Sequence, residues 1–461
     1  MKQSLEFDLE LIKRYDVSGP RYTSYPTAVQ FTDKFGEADY RVQAEAANKK
    51  SGKPLSLYFH IPFCDTICFY CACNKIATKD RSKAAPYLER VFKDIEMQGE
   101  LFDSSHKVDQ LHLGGGTPTF ISHAEMTGLM EKTRKHFNLH DDDTGEYSIE
   151  VDPRETNADT IGVLRKLGFN RLSMGVQDFE PAVQKAVNRI QPESITLATL
   201  EAARKVGFKS ISLDLIYGLP FQTLETFSRT VQRAIEFGTD RISVFNYAHL
   251  PDIFKPQRRI NVDELPSPAV KLDILENTIH QLTEAGYVYI GMDHFAKPDD
   301  ELAVAQRDGT LYRNFQGYST HSDCDLVGLG VTSIGMVGDS YSQNVKTLEE
   351  YYDHIDNGRM PIMRGITLTA DDKLRRDVIT RLICHFTLDK KTVEQKFNIA
   401  FDDYFATELE QLKPMANDGL VRLEAGRIDV EPVGHLLIRN ICMVFDKYLR
   451  DKKEQRFSKV I

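Results

Sequence analysis

Between Leu55 and Leu250 one theme is repeated six times: a short apolar run ends in polar or glycine-rich residues, and an amphipathic stretch follows. The runs are "LSLYFHIPF" (55–63), "VDQLHLGGGTP" (108–118), "EYSIEVDPRE" (146–155), "NRLSMGVQDF" (170–179), "KSISLDLIYGLP" (209–220) and "RISVFNYAHL" (241–250). The stretches between them include "AAPYLERVFKDIEMQGELF", "DTIGVLRKLG" and "SITLATLEAARKVG", the last ending on the helix-stop residue Gly207. Strands alternating with helices imply a parallel sheet with right-handed crossovers. Six such units predict an α/β fold, a partial or full β/α barrel rather than a sandwich. In each run the chemically loaded residues come late: Cys64, Gly114 to Gly116, Glu150, Gln177, Asp214 and Ala248. The C-terminal strand ends of a barrel carry its active site, so six motifs converge on one mouth. A doubly wound open sheet is the alternative, and it would gather its ligand residues near a single switch point.

The flanks read differently. The first fifty residues contain "GPRYTSYPTAVQF" (19–31), whose prolines and glycine predict a non-helical arm. After the barrel, "LTADD" offers Thr369 as an N-cap with acids in the first turn. Helices are predicted near 370–386, 389–398 and 402–415, then a hairpin turning at Gly426, then a last helix from Val433 to Arg450. Helices with one β-ribbon predict a mostly helical, winged-helix-like C-terminal domain, read from its mixed charge as a lid or packing domain. The expected division is an arm over 1–50, a catalytic barrel over 51–365 and a helical domain over 366–461.

With 461 residues, 41% hydrophobic and 27% charged, the composition is that of a soluble chain with more than one domain. The first residues have no basic-then-apolar signal pattern, and no apolar run is long enough to span a bilayer, so a cytoplasmic protein without a membrane partner is expected. A net charge of −10 argues against general nucleic-acid binding while leaving room for a local basic pocket. Disulfides do not persist in the cytoplasm, so clustered cysteines there point to metal or redox chemistry.

Such a cluster follows the first run. Cys64, Cys68 and Cys71 are spaced C-x3-C-x2-C. Three thiolates in one loop can hold three irons of a 4Fe–4S cube and leave the fourth open, whereas ferredoxin-type carriers cap all four. A zinc ribbon would need a second C-x2-C pair, and beyond this cluster the next cysteine is Cys324. A cysteine nucleophile would use one thiol and leave the others idle. Cys73 cannot easily reach the same cube and reads as a neighbouring or packing thiol; Cys324, Cys384 and Cys442 read as core or bystander residues.

The cysteine spacing, Tyr70 before the third Cys and "GGGTP" (114–118) at the end of the second run resemble the radical S-adenosylmethionine (SAM) superfamily. "GPRYTSYPTA", "YFHIPFC…CFYCACNK", "LHLGGGTPT", "IEVDPRE", "FNRLSMGVQDF…AVNRIQ", "LDLIYGLPFQT" and "LLIRNICMVFDKYL" narrow this. Together, over nearly the whole chain, they resemble the oxygen-independent coproporphyrinogen III dehydrogenase (oxidase) family. The resemblance implies a partial (β/α)6 radical SAM barrel, a 4Fe–4S cluster, one or two SAM molecules and a low-potential electron donor. It also implies a monomer that converts two propionates of coproporphyrinogen III to vinyls, giving protoporphyrinogen IX and CO2.

By the same resemblance, Cys64, Cys68 and Cys71 are the cluster ligands, and Tyr58, Gly115, Glu150 and Ile334 surround the cluster-bound SAM. Tyr70, Gly116, Thr117, Gln177, Arg189, Asp214 and Ala248 surround a second SAM, in a volume that could equally hold substrate. Tyr58, Arg21 and Arg189 are the expected catalytic residues. Four propionates call for cations, and Arg21, Arg154, Arg171, Arg189 and Arg313 are the candidates. "FQGYSTHSDCDLVGLGVTSIG" (315–335) reads as an active-site loop, and the 19–28 segment as a cover for the mouth. For Glu150 the plainer alternative is a strand-end acid paired with Arg154. The alternatives for the whole chain are another porphyrin-acting radical SAM enzyme such as a haem-opening methyltransferase, a haem chaperone without turnover, and a structural iron–sulfur or zinc protein.

Overall fold

All six apolar runs are strands in the computed structural model, which describes residues 5–49, 53–321 and 324–450. They are β1 (Leu55–Ile61), β2 (Lys107–Gly115), β3 (Glu146–Val151), β4 (Arg171–Gln177), β5 (Ser210–Tyr217) and β6 (Arg241–Asn246). Each pairs in parallel with the next in sequence order. Helices α1 (Ala84–Gly99), α2 (His123–His136), α3 (Ala158–Lys166), α4 (Pro181–Ala186), α5 (Glu193–Lys205) and α6 (Leu224–Phe237) fill the crossovers. Local chemistry starts and stops them. Ser122 and Glu125 form a capping box on α2, Asn157 caps α3, and Gly238 closes α6 at φ 63°. This is the expected partial β/α barrel.

The strands divide their side chains by parity. Tyr147, Ile149 and Val151 on β3 and Ile211, Leu213 and Leu215 on β5 are buried. The alternate positions, Ser148, Glu150, Ser212 and Asp214, lie on the opposite face. Register aligns that polar face across strands: Glu150 lies beside Ser173, Gly175 beside Asp214, and Asp214 beside Ser243.

The stretch expected to be an active-site loop, 315–335, departs from that reading. It contains β7 (Asp325–Leu329), which pairs in parallel with β1 on the side away from β2. The antiparallel strands β8 (Ile334–Val337), β9 (Ser340–Asn344) and β10 (Ile362–Thr367) continue the sheet. All five residues of β7 are buried, so no alternation marks it, and the glycines around it mimic a turn.

The described residues of Phe31–Gln281 and Asp323–Thr367 make up this unit, and those of Met1–Gln30, Leu282–Ser322 and Leu368–Ile461 make up a second. The expected arm over 1–50 thus contributes to both units, and it includes helices at Leu9–Tyr15 and Glu37–Asn48. Residues 50–52, where the boundary between arm and barrel is expected, lie outside the described residues. In the second unit Thr369 caps Ala370–His385 through a capping box with Asp372, and a helix follows at Lys390–Phe397. The predicted 402–415 helix is instead two, Phe401–Tyr404 and Ala406–Asn417. Phe405 at the joint is fully buried against Phe401 and Phe445. The Gly426 hairpin is present as Val421–Leu423 and Arg427–Val430, joined by Thr387–Asp389. The predicted last helix is broken into Pro432–Gly434, Ile438–Val444 and Lys447–Arg450, and Gly434 sits tight against the Leu420 carbonyl, where a side chain would clash. Among the described residues no helix is long and apolar enough to cross a membrane.

Candidate active site

The three clustered cysteines follow β1. Phe63–Cys64 pairs with Ile76–Ala77, and the Ile76 N–H donates to the Pro62 carbonyl at 2.7 Å, which closes the base of the loop. Its outer part is tied to the segments that follow α4 and β6. Phe69 N–H donates to the Val187 carbonyl at 2.9 Å, Asn188 Nδ2 to the Ile67 carbonyl at 2.8 Å, and Gln257 Nε2 to the Tyr70 carbonyl at 3.0 Å. All seven cysteines are free thiols; Cys324, Cys384 and Cys442 are buried as expected, and Cys73 is exposed.

Donors surround the cluster thiols. Thr117 Oγ1 lies 3.6 Å from Cys64 Sγ, and Arg154 Nη2 and Arg189 Nη1 lie 3.7 and 3.6 Å from Cys68 Sγ. Lys75 Nζ donates to the Cys71 carbonyl at 3.0 Å. Burial pushes the Cys64 thiol up to about 11, and the neighbouring Cys71 and Cys68 add to the rise. A hydrogen bond from Cys73 brings Cys71 down to about 6 despite its burial, with help from Lys75. Asp152, at the end of β3, binds both arginines, at 2.6 Å to Arg154 and 3.1 Å to Arg189. Burial raises its pKa, but Arg189 and then Arg154 outweigh that and hold the carboxyl below its usual range.

Three thiols on one loop with donors around them can each take a separate iron of a 4Fe–4S cube. Two guanidinium groups and Thr117 supply the hydrogen bonds that stabilise thiolate sulfur.

The polar strand ends bring other groups together. Tyr58 stacks on His112, with centroids 5.8 Å apart, and its OH lies 3.1 Å from His60 Nδ1. His60 Nε2 lies 2.9 Å from the Asn74 carbonyl, and burial lowers the imidazole pKa. Glu150 is held by His112 Nε2 at 3.3 Å and the Gly115 N–H at 3.2 Å. Burial raises its pKa, but the His112 bond and charge, the Gly115 N–H and His60 together outweigh that, and Glu150 stays below the usual carboxylate range. It does not pair with Arg154, which belongs to Asp152. Asp214 takes a hydrogen bond from Ser173 Oγ at 3.3 Å. Burial, and then the charge of Glu150, push Asp214 up to about 6.

The glycines of "GGGTP" are needed by the fold itself. Gly115 has φ 115°, and a Cβ there would lie 2.6 Å from the His60 ring; one on Gly116 would lie 2.6 Å from the Phe63 carbonyl. Their absent side chains let β2 end against β1, which places Glu150 and the cysteine loop side by side.

Three buried polar atoms at these strand ends have no partner: Gln177 Oε1, Arg189 Nε and Asn246 Oδ1. Gln177 also has φ 71° at the end of β4. Buried polar atoms are nearly always bonded, so open ones gathered at these strand ends are candidates to meet a polar ligand. The Ala248 carbonyl accepts from Gln257 Nε2 at 3.2 Å, and Ile334 opens β8, two strands from β1.

Tyr58, Tyr70, Gly115, Gly116, Thr117, Glu150, Gln177, Arg189, Asp214, Ala248, Ile334 and the three cysteines all lie in the barrel unit, as do Arg154 and Arg171. Arg171 starts β4, at the strand end opposite the one that Gln177 closes. Arg21 and Arg313 belong to the second unit. His60, His112, Asp152 and Asn246 were not picked out from sequence. Three have a sequence signal: the period-two polar positions Tyr58–His60, His112–Gly114 and Ser148–Glu150–Asp152 inside apolar strands.

A family model described as the radical SAM superfamily matches residues 58–234, and one described as the HemN C-terminal domain matches 368–437. Oxygen-independent coproporphyrinogen III oxidase of Pseudomonas aeruginosa is 56% identical over 461 residues, covering all of both chains. The Escherichia coli protein of that name is 53% identical over 460 residues, covering 100% of this chain and 99% of its own. A solved structure of the E. coli coproporphyrinogen III oxidase, described as a radical SAM enzyme, superposes with a TM-score of 0.92 at 52% identity, over 97% of this chain and 100% of the other. Identity of this extent over whole chains, with the cysteine loop at the end of the first strand, places the protein in the oxygen-independent coproporphyrinogen III oxidase family of radical SAM enzymes.

Proposed function

We propose that this protein performs the family's reaction, the oxidative decarboxylation of two coproporphyrinogen III propionates to the vinyls of protoporphyrinogen IX in haem biosynthesis, with the residues assigned as follows. The observation that carries the assignment is one juxtaposition. Three thiols with their guanidinium donors sit beside two carboxylates and three open polar atoms, all at the same strand ends. A cluster and SAM held there would supply a 5′-deoxyadenosyl radical for hydrogen abstraction from a propionate β-carbon, with loss of CO2 and transfer of one electron to an external acceptor completing the vinyl group.

The chain's own residues bind and shield. Cys64, Cys68 and Cys71 hold the cluster. Arg189 and Arg154, anchored on Asp152, offset its negative charge. Glu150 accepts hydrogen bonds from the ribose hydroxyls or amino group of SAM, while Tyr58 and Ile334 border it. Tyr70, Gly116, Thr117, Gln177, Asp214 and Ala248 line a second SAM volume, supported by the open Gln177 Oε1 and Arg189 Nε. A cluster held on the three thiols would take its electron from a low-potential donor. The free cysteines fit a reducing, cytoplasmic setting.

The deciding assay is anaerobic. Reconstituted protein given SAM, a reductant and coproporphyrinogen III is expected to release CO2 and form protoporphyrinogen IX; methyl transfer to haem in its place would sink this reading. Equilibrium counting of bound SAM tests the second volume: two per chain supports it, and one assigns the volume to substrate.

Glu150→Ala and Asp214→Ala proteins should keep the cluster absorbance and require about 10- to 100-fold more SAM for half-maximal 5′-deoxyadenosine formation. Each loses a charged hydrogen-bond partner worth about 1.5–3 kcal/mol. SAM carries a cationic sulfonium and amino group, so it favours ionised Asp214. With that carboxyl near 6, SAM affinity should fall as pH drops from 7 to 5, and Asp214→Asn should flatten the fall. Normal 5′-deoxyadenosine yield from both variants at limiting SAM would remove these roles.

A further inference from the structure

A glutamate at a strand end turns about several side-chain bonds, so left alone its carboxylate points many ways. Glu150 is restrained at both oxygens. His112 Nε2 lies 3.3 Å from Oε1, and the Gly115 N–H donates to Oε2 at 3.2 Å. The restraint leaves an open face. The His112 side chain is 17% exposed, while Glu150, although deep among the strand ends, keeps 46% of its side chain exposed. Gly114 makes the approach possible, because a Cβ there would lie 2.9 Å from Glu150 Oε1 and 3.0 Å from His112 Nε2.

The imidazole is itself fixed, by a row that the sheet register builds. His112 on β2 lies beside Tyr58 on β1 and beside Ser148 on β3. Its ring stacks on Tyr58, with planes 11° apart and centroids separated by 5.8 Å. Its Nδ1 lies 2.6 Å from Ser148 Oγ, and that hydroxyl is also 3.4 Å from the Leu111 carbonyl. These contacts settle which nitrogen carries hydrogen toward Glu150. A bare Nε2 lone pair would repel the carboxylate oxygen it faces, so Nε2 holds the hydrogen and donates. Ser148 then serves Nδ1 as donor when the ring is neutral and as acceptor when it is charged, since a hydroxyl does either.

We propose that His112, oriented by Ser148, is a positioning residue for the SAM site, holding the Glu150 carboxylate in place before SAM binds. The role rests on the Glu150 assignment made above. SAM presents hydrogen-bond donors, the ribose hydroxyls and the amino group, so its partner has to be an ionised acceptor with lone pairs free. An N–H behind the carboxylate favours the ionised form and leaves the forward lone pairs open. It also removes in advance the side-chain freedom that binding would otherwise have to remove. The imidazole acts through Glu150 and has no need to touch SAM.

The test measures SAM binding directly, by equilibrium dialysis against anaerobically reconstituted protein, beside the KM for SAM in 5′-deoxyadenosine formation. His112→Phe keeps a ring on Tyr58 without either nitrogen, and His112→Gln keeps an N–H within the reach of Nε2. His112→Phe should bind SAM about 10-fold more weakly, with KM raised in step, kcat near the parent value and iron content unchanged. His112→Gln should recover most of that loss. Ser148→Ala should bind about 3-fold more weakly, because it frees the ring without touching Glu150. In a Glu150→Ala background neither His112→Phe nor Ser148→Ala should weaken binding further. Parental SAM affinity in His112→Phe or in Ser148→Ala overturns the proposal. So does a His112→Gln protein as weak as His112→Phe, and so does a loss that persists beside Glu150→Ala. Should His112→Phe lose its iron or its fold, Ser148→Ala carries the same comparison. Glu150→Ala with parental affinity would remove the Glu150 role itself, whereas a weakened Glu150→Ala beside an intact His112→Phe fails this proposal alone.

Discussion

Cys64→Ser, Cys68→Ser and Cys71→Ser proteins, purified without oxygen, should each lack the iron, sulfide and visible absorbance of the parent, and turnover should fall to the assay background. A serine hydroxyl does not ionise near neutral pH and cannot replace a thiolate on iron. The three positions should behave alike although their surroundings differ. Cys64 is buried under Thr117, Cys68 lies between Arg154 and Arg189, and Cys71 adjoins Lys75. Cys73→Ser is the informative control. It removes an exposed thiol next to Cys71, and iron content should stay at the parent level. Loss of iron from Cys73→Ser, or stoichiometric zinc without sulfide in the parent, would contradict the assignment.

Asp152→Ala should be the most damaging change among residues that do not touch the cluster. The Asp152 side chain is 9% exposed and is bound by both arginines that reach Cys68, themselves 15% and 8% exposed. Removing it leaves two guanidinium groups buried near each other without their carboxylate. Breaking a buried pair from one side costs about 3–5 kcal/mol, so denaturant unfolding should register a loss of that order together with poor cluster retention. Asp152→Asn keeps the shape and should fall in between. The sign of the pH dependence follows. Asp152 is held below its usual pKa, so its contribution is complete above an unfolded value of about 3.9 and is lost as pH falls through the lower folded value. In Asp152→Ala that acid-side loss of stability should shrink. Unchanged unfolding would mean that the arginines are anchored elsewhere.

The barrel was legible because it is written twice. Each of the six strands is an apolar run, and each ends in residues that no core needs, such as Cys64, Glu150 and Asp214. Strand β7 was hidden for the opposite reason. Buried on both faces, it has no alternation, and Gly328 and Gly330 around it imitate a turn. The broken helices of the second unit were missed because helical propensity is local. Phe405 is buried at the first break and Gly434 closely approaches the Leu420 carbonyl at the second, contacts that depend on neighbours far along the chain.

The site divides in the same way. Sequence alone determined the cysteine triad, the glycine-rich strand end and the family, because these are fixed spacings along one chain. Only tertiary structure decided who partners whom. It gave Glu150 to His112 and Gly115, bound Arg154 and Arg189 to Asp152, placed Arg171 at the start of β4, and paired Arg21 with Asp293 while leaving Arg313 open. Whether a charge is free or spent depends on distances between residues that are remote in sequence. Ionic and hydrogen-bond energies change steeply over a few ångströms, which no spacing along the chain can specify.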